Sequence, residues 1–173
     1  MSKCYWITGL SASGKTTLSK LLVENFRSNG EKVILLDGDE LRKVLSTVAY
    51  KRDERIALGM SYARLCNLIS SQGVNVVIAV IGLFKEIHTW NRLNISGYVE
   101  IFIDTPLSEL KRRDPKGLYK RYESGEVKNI AGIDLSVDFP ENPDIKLQWS
   151  EGRSADSMFN ELIKKIEINK DNI

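Results

Sequence analysis

Gly9-Leu-Ser-Ala-Ser-Gly14-Lys15-Thr16-Thr17 decides how the rest of this chain is read. A glycine, four residues and then Gly-Lys-Thr is the spacing of a phosphate-binding loop. Cys4-Tyr-Trp-Ile-Thr8 before it is rich in aromatic and β-branched residues and predicts a buried strand. Leu18-Ser-Lys-Leu-Leu-Val-Glu-Asn-Phe26 after it has apolar residues at helical spacing, with a stop at Gly30. Strand, glycine loop and helix N-terminus together make an anion site. Backbone N–H groups converge there, and the helix dipole adds positive potential. Lys15 supplies a full charge and Thr16 a hydroxyl suited to a magnesium ion. The expectation is a nucleoside triphosphate held by Gly9, Ser11, Ala12, Ser13, Gly14, Lys15, Thr16 and Thr17.

The totals set bounds on the remainder. The 173 residues predict one domain, 1–173, large enough to bury a core. A net charge of +2 gives no reason to expect nucleic acid or a membrane surface as partner. Cys4 and Cys66 are far apart and form no metal or redox spacing, so Cys4 is expected as a buried reduced thiol. No signal-peptide layout and no bilayer-length apolar run occurs, which makes cytoplasm the expected location.

Four further apolar runs have strand length: Lys32–Leu36, Val74–Ile81, Tyr98–Ile103 and Ile145–Trp149. Helical patterns cover Glu40–Ser46, Arg55–Ser71, Lys85–Leu93 and Ser154–Ile168, and Asp104-Thr-Pro106 opens another with proline in its first turn. Strands alternating with helices predict an α/β fold: a five-stranded parallel sheet with helices on both faces. Lys111–Asn142 breaks the alternation, being polar and dense in charge and glycine. It is either a disordered insertion or a mobile lid.

Phosphoryl transfer needs positioning, a metal and carboxylates near the phosphates. The central apolar run ends Val80-Ile81-Gly82-Leu83 and offers no acid, so Asp37-Gly-Asp39 is the expected source. Asp39 is the candidate for activating an acceptor hydroxyl, with Lys15 and Asp37 completing the catalytic set and Asp37 orienting magnesium through water. The same triplet also fits a turn with a helix cap. Arg42 follows Asp39 by one helical turn and can face the same cleft. Arg55 and Lys111-Arg-Arg113 can clamp phosphate oxygens or form an ordinary solvated face. Tyr50 fits a base-stacking platform or a plain surface tyrosine, and His88, the single histidine, has no assigned role.

These residues resemble the adenylylsulfate (APS) kinases, which transfer the ATP γ-phosphate to the ribose 3′-hydroxyl of adenosine 5′-phosphosulfate. The resemblance runs from about Tyr5 to Leu147. It rests on the glycine loop, Leu36-Asp-Gly-Asp39 with Arg42, and Phe102-Ile-Asp-Thr-Pro106. Arg113-Asp-Pro-Lys-Gly-Leu-Tyr-Lys120, Val127-Lys-Asn129, Gly132-Ile-Asp134 and Pro140-Glu-Asn-Pro-Asp144 are more specific. It implies the P-loop nucleoside-triphosphate kinase fold, ATP and Mg2+, a homodimer, and a folding lid at 111–142. It adds Arg113 to the ATP side. Its acceptor side comprises Asp39, Arg42, Tyr50, Arg55, Ile81, Gly82, Lys116, Lys128, Asn129 and Ile130, and its metal site comprises Thr16 with Asp37 acting through water.

The departures fall on the acceptor side. Where the family continues Glu-Asn-Ile-Arg-Arg, this chain has Ala57-Leu-Gly-Met-Ser61, and where the family has Phe-Ile-Ser-Pro it has Val80-Ile-Gly-Leu83. The two phenylalanines that sandwich adenine correspond to Tyr50 and Ile130. Donor residues kept and acceptor residues changed imply the same reaction on another nucleotide. The pattern is similar to a variant branch of the family, the cytidine diphosphoramidate kinases of capsule phosphoramidate synthesis. An APS kinase and a non-catalytic nucleotide-binding module are the other readings. Against the module stand Lys15, Thr16, Asp37, Asp39 and Arg42, all intact.

Overall fold

β1 (Cys4–Thr8) is the middle strand of a five-stranded, all-parallel sheet in the computed structural model, which describes residues 2–170. The order is β2-β3-β1-β4-β5, with β2 Val33–Asp37, β3 Asn75–Val80, β4 Tyr98–Asp104 and β5 Ile145–Gln148. Helices α1 (Lys15–Ser28), α2 (Gly38–Val44), α3 (Arg52–Ser70) and α4 (Lys85–Asn94) connect the first four strands. Two short helices, α5 (Leu107–Arg113) and α6 (Leu118–Glu123), precede β5, and α7 (Ala155–Lys170) closes the described chain. No helix among the described residues is long and apolar enough to cross a membrane.

The three central strands are largely buried on both sides because both sides are covered, whereas β5 alternates buried and exposed residues. Tyr5, Ile7, Val77, Ile101 and Ile103 meet Leu18, Leu22 and Phe26 of α1 and Leu162 and Ile166 of α7. Trp6, Val76, Ile78 and Phe102 alternate to the other side, against Tyr62 and Cys66 of α3 and Ile87 of α4. The register sets Thr8 beside Val80 and Phe102, and Asp37 beside Ala79. The glycine loop, the Asp37 turn and the Ile81–Leu83 loop therefore leave one edge of the sheet together, the carboxyl edge where ligands of such sheets bind.

Several local expectations are adjusted. Pro106 is the N-cap of α5, not a residue of its first turn. Helix α6 is additional, since Leu118–Glu123 is too short and too charged to show helical periodicity. Lys111–Asn142 is a folded cover: Tyr119, Ile130, Ala131 and Leu135 join the core on the α3 side of the sheet. Asp134 holds it by accepting the Asn129 and Ile130 amides at 2.8 and 2.5 Å. Cys4 and Cys66, far apart in sequence, are both fully buried and unbridged, and they are neighbours. A hydrogen bond to Cys4, together with burial, pushes the Cys66 thiol well above its ordinary range.

Gly59 explains one of the sequence departures. It lies inside α3, where a Cβ would stand 2.3 Å from Ile87 Cδ1, and Ile87 is itself fully buried. Helices α3 and α4 thus touch through a missing side chain. Gly59→Val should lower stability by about 1–3 kcal/mol through overpacking. Denaturant unfolding checks this, and an unchanged midpoint would show that the two helices can part at no cost.

Candidate active site

The glycine loop is built from backbone shapes that only certain residues take. Gly14 caps α1 at φ +100°, and Ala12 holds φ +65°. A Cβ on Gly9 would stand 2.8 Å from the Ile103 carbonyl oxygen and 2.8 Å from Ser13 Oγ, so β4 leaves room for glycine alone. Lys15 folds back over the loop, with Nζ donating to the Leu10 carbonyl at 2.6 Å and reaching Ser13 Oγ at 3.4 Å. Burial pushes its pKa down to about 7; Asp37 opposes the shift while Lys116 and Arg42 add to it. An ammonium held this way gains most from a bound anion.

The carboxylates stand beside it. Thr16 Oγ1 donates to Asp37 Oδ2 at 2.8 Å, and Asp37 Oδ1 accepts the Asp39 amide at 2.9 Å as the cap of α2. Asp37 is therefore both a helix cap and the partner of the loop hydroxyl. Asp39 pairs through Oδ1 with Arg42 Nη2 and through Oδ2 with Lys116 Nζ, which reaches across from the cover. No group of three or more His, Cys, Asp or Glu among the described residues makes a closed metal cage.

The cover is tied to the loop at consecutive carbonyls. Tyr119 OH donates to Ser11 O at 3.0 Å, and Arg113 Nη1 to Ala12 O at 3.4 Å. Arg113 Nε also donates to Glu109 Oε1 at 2.7 Å, while Arg112 makes two bonds to the same carboxylate. Together the two guanidinium groups pull Glu109 down to about 2. In this arrangement Arg113 braces the cover against the loop, and Arg112 stays on the outside.

Other candidates gather around α3. Arg55 donates from Nη2 to Asn129 O at 2.9 Å and from Nε to Tyr50 O at 3.3 Å, joining the start of α3 to the cover. Glu54 accepts the Tyr50 and Lys51 amides, which fixes the turn carrying Tyr50. Tyr50 is 60% exposed, whereas Ile130 is 5% exposed and packs inside the core, so the two do not form an open pair of faces. Lys128 is exposed. Ile81 is half-buried, and its carbonyl accepts Thr8 Oγ1. Gly82 takes φ +46°.

Three contributors had no role assigned from sequence. Tyr119 belongs to the Arg113–Lys120 motif, which gives it no function of its own. Arg52 was one charge among several, yet it donates to Asp138 Oδ2 at 2.7 Å and lies over the Phe84 ring, joining α3 to the end of the cover. His88, without a role by sequence, sets Nε2 2.8 Å from Gly82 O and so braces the loop after β3. Two surface hollows lie away from the glycine loop: one of about 770 Å3 beside Arg153 and Asn160, and one of about 500 Å3 beside Met60 and Trp90. The site is recognised by its chemistry, not by its volume.

Comparison with known proteins agrees with this geometry. The family model for adenylylsulphate kinase matches residues 1–148. A cytidine diphosphoramidate kinase of Campylobacter jejuni is 36% identical over 163 residues, covering 94% of this chain and 95% of that one. An adenylyl-sulfate kinase of Picosynechococcus is 38% identical over 142 residues, covering 82% and 80%. Among solved structures, the Mycobacterium tuberculosis APS kinase in complex with AMPPNP and APS superposes with a TM-score of 0.88 at 32% identity, covering 96% of this chain and 98% of that one. Sheet order, glycine loop and sequence agree, and the chain belongs to the adenylylsulfate kinase family, whose members are phosphotransferases acting on a hydroxyl.

Proposed function

We propose that this kinase transfers the γ-phosphate of ATP to the ribose 3′-hydroxyl of cytidine 5′-diphosphoramidate, in capsule phosphoramidate synthesis. The observation that carries it is the asymmetry of the site. The donor half is intact, while the acceptor half has Met60 and Ser61 where the family has arginines, and Gly82 where it has serine. Fewer arginines suit a distal group with less charge than a sulfate. One aromatic face at Tyr50 suits a pyrimidine, which offers less area to stack than adenine does. The similarity to the Campylobacter relative supports the same acceptor. The proposal includes a cytoplasmic homodimer, which the family resemblance supports.

In the proposed mechanism the loop amides and Lys15 hold the β- and γ-phosphates. Thr16 Oγ1 and Asp37 Oδ2, hard oxygen donors 2.8 Å apart, would hold a Mg2+, Thr16 directly and Asp37 through water. That ion would neutralise charge on the transferring phosphoryl group. Asp39 releases Lys116 and accepts or orients the 3′-hydroxyl proton. Arg42 and Arg55 hold the acceptor's phosphates, with Lys128 and Asn129 reaching in from the cover. Arg113 moves from its loop carbonyl to the ATP side, and closure of the cover over both nucleotides excludes water.

Three measurements test the scheme. With ATP-Mg, kcat/KM should favour cytidine diphosphoramidate over APS, and the opposite preference makes this an APS kinase of sulfate assimilation. Asp39→Ala should lower turnover about 10²–10⁴-fold while ATP binding persists. Normal turnover in that variant would remove Asp39 from catalysis, and absence of ADP formation with any acceptor in the unaltered chain would leave a binding module. Lys15 gives a pH test. Free Lys15, with its pKa near 7, is largely neutral at pH 8 and charged at pH 6. A triphosphate restores the charge, so binding at pH 8 takes up a proton. Calorimetric binding enthalpy should then vary with buffer ionisation heat at pH 8 and far less at pH 6. Equal buffer dependence at both would show that Lys15 is not the group responding.

A further inference from the structure

Gly82 lies where the chain leaves β3 at the carboxyl edge of the sheet, and its φ of +46° is one that glycine takes freely. A glycine link lets the peptides on either side of it turn over, so what holds them decides which group faces outward. Both carbonyls here are held from inside. The Ile81 oxygen accepts Thr8 Oγ1, and Thr8 is fully buried. The Gly82 oxygen accepts the Phe84 amide at 3.0 Å and has His88 Nε2 at 2.8 Å. No peptide bond among the described residues is cis. In a trans peptide the N–H points opposite to the carbonyl, so the Gly82 and Leu83 amides are turned away from Thr8 and His88.

His88 belongs to α4, and its side chain is only 11% exposed. A carbonyl oxygen only accepts, so Nε2 carries a proton. On the other side of the ring, Nδ1 lies 3.9 Å from Glu100 Oε1, beyond hydrogen-bond range. That carboxylate draws the ring proton towards Nδ1, but 3.9 Å against 2.8 Å leaves it on Nε2. Glu100 is itself held in place. Its Oε1 accepts the Tyr98 hydroxyl at 3.1 Å, its Oε2 accepts Arg92 Nη2 at 3.0 Å, and its amide donates to Asp144 Oδ2 at 2.7 Å. We infer that His88 is a positioning residue for the reaction: its Nε2–H fixes the Gly82 carbonyl inward, so that the 82–83 peptide keeps its N–H, and not its oxygen, outward. His88 acts through Gly82 and touches no substrate. The role rests on the placement of Ile81 and Gly82 on the acceptor side in the function proposed above. A peptide turned the other way would set an oxygen's partial negative charge against the acceptor's phosphates.

The chain has a single histidine, so 15N-histidine labelling of the intact protein gives one imidazole to read. At a pH where the ring is neutral, two-bond 1H–15N correlation should place the remaining proton on Nε2. A proton on Nδ1, or averaging between the two nitrogens, overturns the role whatever the kinetics show. His88→Leu removes the donor, while His88→Gln sets an amide N–H near the place of Nε2. With whichever of cytidine diphosphoramidate and APS supports turnover, His88→Leu should raise the acceptor KM about three- to tenfold, the worth of one hydrogen bond. KM for ATP should stay unchanged, and His88→Gln should keep the acceptor KM of the unaltered chain. Normal turnover in His88→Leu with an unaltered acceptor KM overturns the positioning role and leaves the reaction standing. A KM that rises equally for both substrates, or one that glutamine does not restore, marks a histidine that only packs and overturns the role. Should His88→Leu fail to fold, an acceptor KM kept by His88→Gln supports the role and a raised one overturns it. Absence of turnover with either acceptor in the unaltered chain overturns the proposed reaction, and the role with it.

Discussion

Three consecutive carbonyls of the glycine loop, those of Leu10, Ser11 and Ala12, are each tied to a different group: Lys15, Tyr119 and Arg113. A loop that turns its amides inward to an anion must turn carbonyls outward, and outward carbonyls need donors. This constraint organises much of the molecule. It brings the lysine back over its own loop, it gives the cover two anchors, and it couples any shift of the cover to the groups that surround the phosphates.

Electrostatics follow from the same arrangement. Lys15, Arg42 and Lys116 surround the Asp37–Asp39 turn; desolvation chiefly weakens the hold of Lys15 on its proton, the two neighbouring cations add to this, and Asp37 opposes it. Each carboxylate has partners within the chain, Asp37 in Thr16 and the α2 cap, Asp39 in two cations. The cations that neutralise Asp39 come from α2 and from the cover, so the surroundings of this carboxylate depend on how the cover is docked.

Helix α3 separates this chain from the usual family pattern. Gly59 lets α4 approach closely at Ile87, and Tyr62 brings a hydroxyl into an otherwise apolar interior. Arg52 and Arg55 at its first turns hold the cover at Asp138 and Asn129. A change along one helix therefore alters the packing against α4 and the attachment of the cover together.

The sequence by itself determined the five strands, their parallel arrangement and the donor loop, because these depend on local periodicity and on residues adjacent in the chain. The Asp37 turn and the kinase family were also legible, from Leu36–Asp39 and the 113–144 motifs. Helix α6, the contact of Cys4 with Cys66, the burial of Ile130 and the bracing of Gly82 by His88 were not. Each joins residues distant in the chain or, like α6, is a short helix held by packing against the core. Nothing in a local pattern records which face of α3 meets β1, or that Trp6 and Tyr62 are buried with polar atoms unpaired. Only the tertiary structure decided that, because burial and hydrogen-bond satisfaction are properties of the assembled interior and not of any one segment.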